Sequence, residues 1–117
     1  MDQDKIYFNY SPNPTIGVEV ELYTVSKDKY ELCSGAPKIL EYFKNDIHVK
    51  EELLECIVEV NTGICTNISD VRKDLTTKIH EVNTEVEKNG NALISMGTHP
   101  FSKWKDQTIS QSKRYIS

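Results

Sequence analysis

Between residues 69 and 89, apolar side chains recur at Val71, Leu75, Ile79, Val82 and Val86. Steps of four, four, three and four residues place them on one stripe of an α-helix, and such a stripe has to be buried against the rest of the chain. Asn67 or Ser69 supplies an N-cap, Asp70 suits the positive end of the helix, and Lys88 followed by Gly90 supplies a stop. His80 and Glu81 lie off the stripe and read as solvated. The spacing therefore predicts a long helix over residues 69–89 that needs a surface to lie on.

The surface is legible in two alternating segments. In Gly17-Val18-Glu19-Val20-Glu21-Leu22, apolar residues alternate with two carboxylates, the pattern of a half-buried strand running over residues 15–25. Glu19 and Glu21 then share a face, with Cα atoms roughly 6–7 Å apart. Two neighbouring carboxylates repel, so this face is either open water or the seat of a cation. Mg²⁺ takes oxygen ligands and is commonly shared between carboxylates and nucleotide phosphates. The second segment, residues 54–62, also reads as a strand. Leu54, Cys56, Val58, Val60 and Thr62 fall on one face, and Glu55, Ile57, Glu59 and Asn61 on the other. Residues 51–54 are open to a helical start.

The remaining elements are shorter. Residues before Thr15, interrupted by Pro12 and Pro14, form a lead-in. After the turn at 26–29, residues 30–32 are placed to pair back as a hairpin. Ser34 and Pro37 sit where a cap and an early proline start a short helix, with Ile39, Leu40 and Phe43 inward and an end near Asn45. Residues 92–96 form a third strand, which runs into Gly97-Thr98-His99-Pro100-Phe101. Gly97 and Pro100 constrain this loop, and His99 on it is suited either to bonding a phosphate or carboxylate or to plain exposure. Residues 103–117 show no clear period.

Composition excludes several classes. The net charge of −4 carries no basic footprint for nucleic acid. From Ser102 onward, Lys103, Lys105, Lys113 and Arg114 stand against Asp106 alone, a basic tail on an acidic body. No apolar run is long enough to span a bilayer, and no signal-peptide pattern is visible, so neither a membrane nor secretion is expected. Cys33, Cys56 and Cys65 are odd in number and lack Cys-x-x-Cys spacing, which fits reduced thiols in a cytoplasmic protein. A chain of 117 residues makes one domain.

In order, Gly-Val-Glu-Val-Glu, Glu55-Cys56-Ile57-Val58-Glu59-Val60-Asn61-Thr62 with Cys65, the amphipathic helix, Gly97-Thr98-His99-Pro100-Phe101 with Trp104, and Arg114-Tyr115 resemble the N-terminal third of the type 2 glutamate–cysteine ligases, a family of ATP-dependent carboxylate–amine ligases. The resemblance runs from Thr15 onward. It implies an α+β fold, part of a glutamine-synthetase-like catalytic domain with a curved antiparallel sheet and flanking helices. It also implies a reaction: ATP phosphorylates the carboxylate of a glutamate-like acid, and a cysteine-like amine displaces phosphate, as in glutathione biosynthesis. ATP and Mg²⁺ are the implied cofactors. Carried over residue by residue, Glu19, Glu21 and Glu59 look like metal–nucleotide ligands, with Glu55 a fourth metal ligand. Thr62, His99 and Arg114 look like substrate-binding groups, with His99 and Arg114 the catalytic pair. Phe101 and Trp104 fix the loop, and Tyr115 packs beside Arg114.

Members of that family are about three times longer, and their downstream strands, His-x-His element and arginines complete the site. This chain is accordingly expected to be a fragment of a longer ligase or a short product of an interrupted gene. Its unfinished sheet is expected to drive self-association as a symmetric dimer. Two other readings remain beside the ligase: a non-catalytic association or binding module that keeps the fold core, and a generic α+β domain whose acidic face is merely solvated.

Overall fold

The computed structural model describes residues 6–116. Four strands form one sheet: β1 (Glu19–Ser26), β2 (Val49–Glu51), β3 (Ile57–Asn61) and β4 (Asn91–Ile94), in the order β2-β3-β1-β4. Every pairing is antiparallel. Helix α1 (Ala36–Tyr42) sits between β1 and β2, α2 (Ile68–Lys88) between β3 and β4, and a 3-10 turn covers Trp104–Asp106. The architecture is α+β, as expected. Among the described residues no helix is long and apolar enough to cross a membrane.

The long helix forms where its stripe requires. Asn67 accepts a hydrogen bond from the Asp70 backbone N–H at 2.9 Å, which satisfies one of the amides a helix start leaves unpaired. At the other end Gly90 adopts φ +79°, the left-handed turn that glycine takes without steric cost. Val82 and Val86 are fully buried and Val71 nearly so. Val82 and Val86 meet Leu22, Val49, Val58 and Val60 from the sheet, and Ile39 and Phe43 from α1 and its end. Lys78, also on α2, bonds Asp46 at 2.6 Å and so ties the helix to the turn before β2. That ion pair holds the Asp46 carboxyl below its ordinary range, although burial works in the other direction.

Three local expectations change. Ser34 does not cap α1. Gly35 takes the N-cap position, and the first helical amide, that of Ala36, donates to the Glu55 carbonyl at 2.9 Å. Gly35 is required by a close approach: a Cβ there would lie 2.8 Å from Thr24 Oγ1. The segment 51–54 is not helical, because Glu51 ends β2. The predicted strand over 54–62 is shorter, beginning at Ile57, since Leu54 pairs with Ile109 and residues 55 and 56 form a turn. The hairpin at 30–32 does form, through a bridge between Val25 and Leu32. Cys33, Cys56 and Cys65 are free thiols.

Candidate functional site

β1 and β3 pair in a register that decides where the carboxylates meet. Glu19 lies opposite Asn61, Glu21 opposite Glu59 and Tyr23 opposite Ile57. Directly opposed residues of an antiparallel pair project to the same face, so Glu19, Glu21 and Glu59 share one side of the sheet. The cross-strand backbone bonds join Thr24 with Cys56 and Thr62 with Val18. Counting by two from those positions makes Glu21 and Glu59 a non-hydrogen-bonded pair, the kind with the closer Cα spacing, about 4.5 Å. Two carboxylates opposed in this way destabilise the sheet unless something positive lies between them.

The neighbours sharpen that arrangement. Asn61 donates to Glu59 Oε1 at 2.8 Å, and Lys50 faces Glu59 from β2. Glu52, in the loop between β2 and β3, brings its carboxyl near that of Glu59. Burial, the nearby Glu52 carboxyl and the charge of Glu19 together push the Glu59 carboxyl above its ordinary range, with Lys50 opposing. Glu52 is the member of this set that sequence reasoning missed. It lies outside the alternating run, and only the fold of its loop brings it back over the strand.

Glu55 does not join this face. The shortened strand leaves it in the turn before β3, where its backbone N–H donates to the Thr108 carbonyl at 2.9 Å. Thr62 lies on the opposite side of the sheet from Glu59. Its hydroxyl accepts from the Val18 N–H at 3.1 Å and donates to the Gly63 carbonyl at 2.8 Å, bonds that hold the start of β1. It also lines a groove of about 620 Å³ with Glu19, Lys50 and Asn61.

His99 is buried, so of its two readings plain exposure is excluded. Its Nδ1 accepts from the Ser102 N–H at 3.0 Å and the Phe101 N–H at 3.3 Å, so Nε2 carries the proton and donates to the Tyr30 carbonyl at 2.7 Å. Both nitrogens are committed to backbone. Tyr30, at φ +56°, is the strained residue of the hairpin turn, and the ring holds it against the loop. That turn starts at Ser26, seven residues and about 23 Å along the strand from Glu19, so His99 is not brought together with the carboxylates. Arg114 lies in a groove at the free edge of β2 with Lys44, Lys50 and Glu51, its guanidinium carbon 5.4 Å from the Tyr115 ring centre. Trp104 and Phe101, expected to fix the loop, are largely exposed, although Phe101 meets the His99 ring edge-on at 4.4 Å.

The all-oxygen character of Glu19, Glu21, Glu59 and Glu52 suits a hard cation such as Mg²⁺. Among the described residues, however, no three His, Cys, Asp or Glu groups converge as a ready metal cage. The fit is to an ion held by one or two carboxylates, with its other positions left to ligand oxygens.

Comparison with known proteins identifies the family. The family description glutamate–cysteine ligase family 2 matches residues 15–117, and the chain belongs to that family. A protein of Gloeobacter violaceus named "Putative glutamate--cysteine ligase 2" is 33% identical over 114 residues, covering 94% of this chain and 31% of its own length. Like-named proteins of Thermobifida fusca and Mycolicibacterium smegmatis are 34% and 37% identical, over 94% and 95% of this chain. The chain thus spans only 29–31% of the length of these relatives.

Proposed function

We propose that this chain carries the metal–nucleotide face of an ATP-dependent ligase that joins the carboxylate of a glutamate-like acid to a cysteine-like amine. A carboxylate is a poor acyl donor because oxide would have to leave. Transfer of the γ-phosphoryl group of ATP to the carboxylate provides a leaving group, and attack by the amine then expels phosphate. The reaction gathers a triphosphate and a carboxylate in one place, and a bound Mg²⁺ supplies the charge neutralisation this requires. Glu21 and Glu59 would hold that ion from the sheet, with Glu19 beside them on the same face, and Glu52 would stand behind Glu59. Asn61 keeps the Glu59 carboxylate oriented. Arg114, with its forked donors, suits a phosphate or substrate carboxylate arriving at the β2 edge. Thr62 and His99 serve by holding the start of β1 and the hairpin turn in place.

The observation that supports this reading is the closely spaced Glu21–Glu59 pair, with Glu19 on the same face. Calorimetric titration of the chain with a non-hydrolysable ATP analogue in the presence of Mg²⁺ tests it. Saturable binding is expected, weakened at least about tenfold by Glu21→Gln, a loss of roughly 1.4 kcal/mol. Absence of binding, or binding indifferent to that substitution and to Mg²⁺, would overturn the proposal.

A further inference from the structure

Thr24, buried in β1, stands where three segments of the chain meet. Its backbone C=O accepts from the Cys33 N–H at 3.1 Å, and its backbone N–H donates to the Cys56 carbonyl at 2.8 Å. Its hydroxyl lies 2.7 Å from the Cys33 carbonyl oxygen and 3.3 Å from that of Cys56. In a regular antiparallel ladder, one residue supplies both the N–H and the C=O that face a hydrogen-bonded partner. Opposite Thr24 that single place is divided. The return segment of the hairpin supplies the N–H, and the turn before β3 supplies the C=O. Cys33 and Cys56 thus share the place of one residue, which brings their α-carbons into the range of about 4.4–6.8 Å that a disulfide spans.

The two thiols differ in access. Cys56 is 1% exposed. Cys33 is half-buried and lines a groove of about 410 Å³ with Leu32, Phe101, Ser102 and Lys103. Burial pushes both thiols above their ordinary range. The Thr24 hydroxyl opposes this at Cys33, and the nearby Cys33 sulfur adds to it at Cys56. Cys65 is placed apart from both, bridged to Ile16 before the start of β1.

We propose that Cys33 and Cys56 are a reversible redox pair, closed to an intramolecular disulfide by a low-molecular-weight disulfide that enters along the groove. The Cys33 thiolate attacks one sulfur of that reagent, forms a mixed disulfide and releases one small thiol. The Cys56 thiolate then attacks the Cys33 sulfur and expels the second. Two protein thiols are oxidised, the reagent is reduced to two small thiols, and the protons lost by Cys33 and Cys56 end on them. Closure ties the hairpin to the start of β3. The same hairpin is also held by the His99 bond to Tyr30 and by the Leu32 N–H, which donates to Ser102 Oγ at 3.1 Å. Neither backbone bond of Thr24 has to break, so the disulfide forms without distortion of the sheet.

The full chain, incubated with glutathione disulfide at about pH 8.5 to raise the thiolate fraction, is expected to lose two hydrogen atoms in its intact mass. Non-reducing peptide mapping should then join the peptide of Cys33 to that of Cys56, and dithiothreitol should separate them. Cys33→Ser is expected to abolish the linked peptide, and Cys65→Ser to leave it in place. The far-UV circular dichroism should be unchanged, and the melting temperature of the oxidised chain raised by at least about 5 °C. A link that involves Cys65, glutathione adducts or intermolecular disulfides in place of the internal one, or an oxidised chain that melts lower than the reduced one would each overturn the proposal. No nucleotide or metal enters these measurements, so their outcome is independent of the ligase reading.

Discussion

In the first part of β1, from Glu19 to Leu22, even-numbered and odd-numbered residues alternate along one backbone yet meet opposite surroundings. Val20, Leu22 and Thr24 face α1 and α2 beside Val58 and Val60, where Thr24, Val58 and Val60 lose all contact with solvent. Glu19 and Glu21 face the other way, stay exposed, and lie with Glu59 against their own kind of charge. The first face is held by area removed from water, and every substitution there is felt as packing. The second face carries a repulsion that the fold tolerates and that no side chain fully cancels. In the proposed function, this repulsion is what a bound cation would relieve.

The contrast can be broken most severely from the core side. Val60→Asp places an unpaired charge where solvent is absent, and a loss of at least about 4 kcal/mol is expected. The chain should then show no cooperative unfolding transition by circular dichroism. A retained transition would mean that the buried layer is far looser than the geometry indicates.

A smaller effect is expected at Gly35→Ala, where the new methyl group would meet Thr24 Oγ1 at 2.8 Å and Thr24 Cβ at 2.9 Å. Urea denaturation should register a loss of roughly 1–3 kcal/mol. Gly17→Ala makes the control on the open side. Nothing lies within 4 Å of a Cβ there, and a change within about 0.5 kcal/mol is expected.

The acidic face should respond with the opposite sign. Glu59→Gln removes one member of the repelling set and is expected to stabilise the chain at neutral pH by up to about 1 kcal/mol. The pH dependence follows from the raised position of this carboxyl. A carboxyl that holds its proton more tightly when folded contributes stability below its unfolded pKa, and that contribution is lost as the pH rises through the folded one. The advantage of the Gln variant should therefore be largest near neutrality and vanish in the acid carboxylate range, as thermal melts at the two ends would reveal. A Gln variant less stable at neutral pH would show that Glu59 is held by attraction, and the two faces would then not differ in kind.

Some of this was readable from residue order alone. The stripe Val71, Leu75, Ile79, Val82, Val86 is set by the 3.6-residue turn, and the alternation around Glu19, Glu21 and Glu59 by the two-residue pleat. Both periods are local, so they needed no knowledge of the rest of the chain. The long-range pairings were a different matter. That Glu21 stands opposite Glu59 depends on the β1–β3 register, and that Glu52 reaches Glu59 depends on the loop between β2 and β3. Glu55 was misplaced for the same reason: pairing of Leu54 with Ile109, 55 residues away, interrupts the alternation that its neighbours display. His99 was legible as a constrained loop residue, but not as one whose two nitrogens are taken by Tyr30, Phe101 and Ser102. Local periodicity thus determined which side chains could face a ligand. Contacts between segments far apart in the chain, which win or lose by the hydrogen bonds and burial of the whole, decided which of them stand together on one face of the sheet.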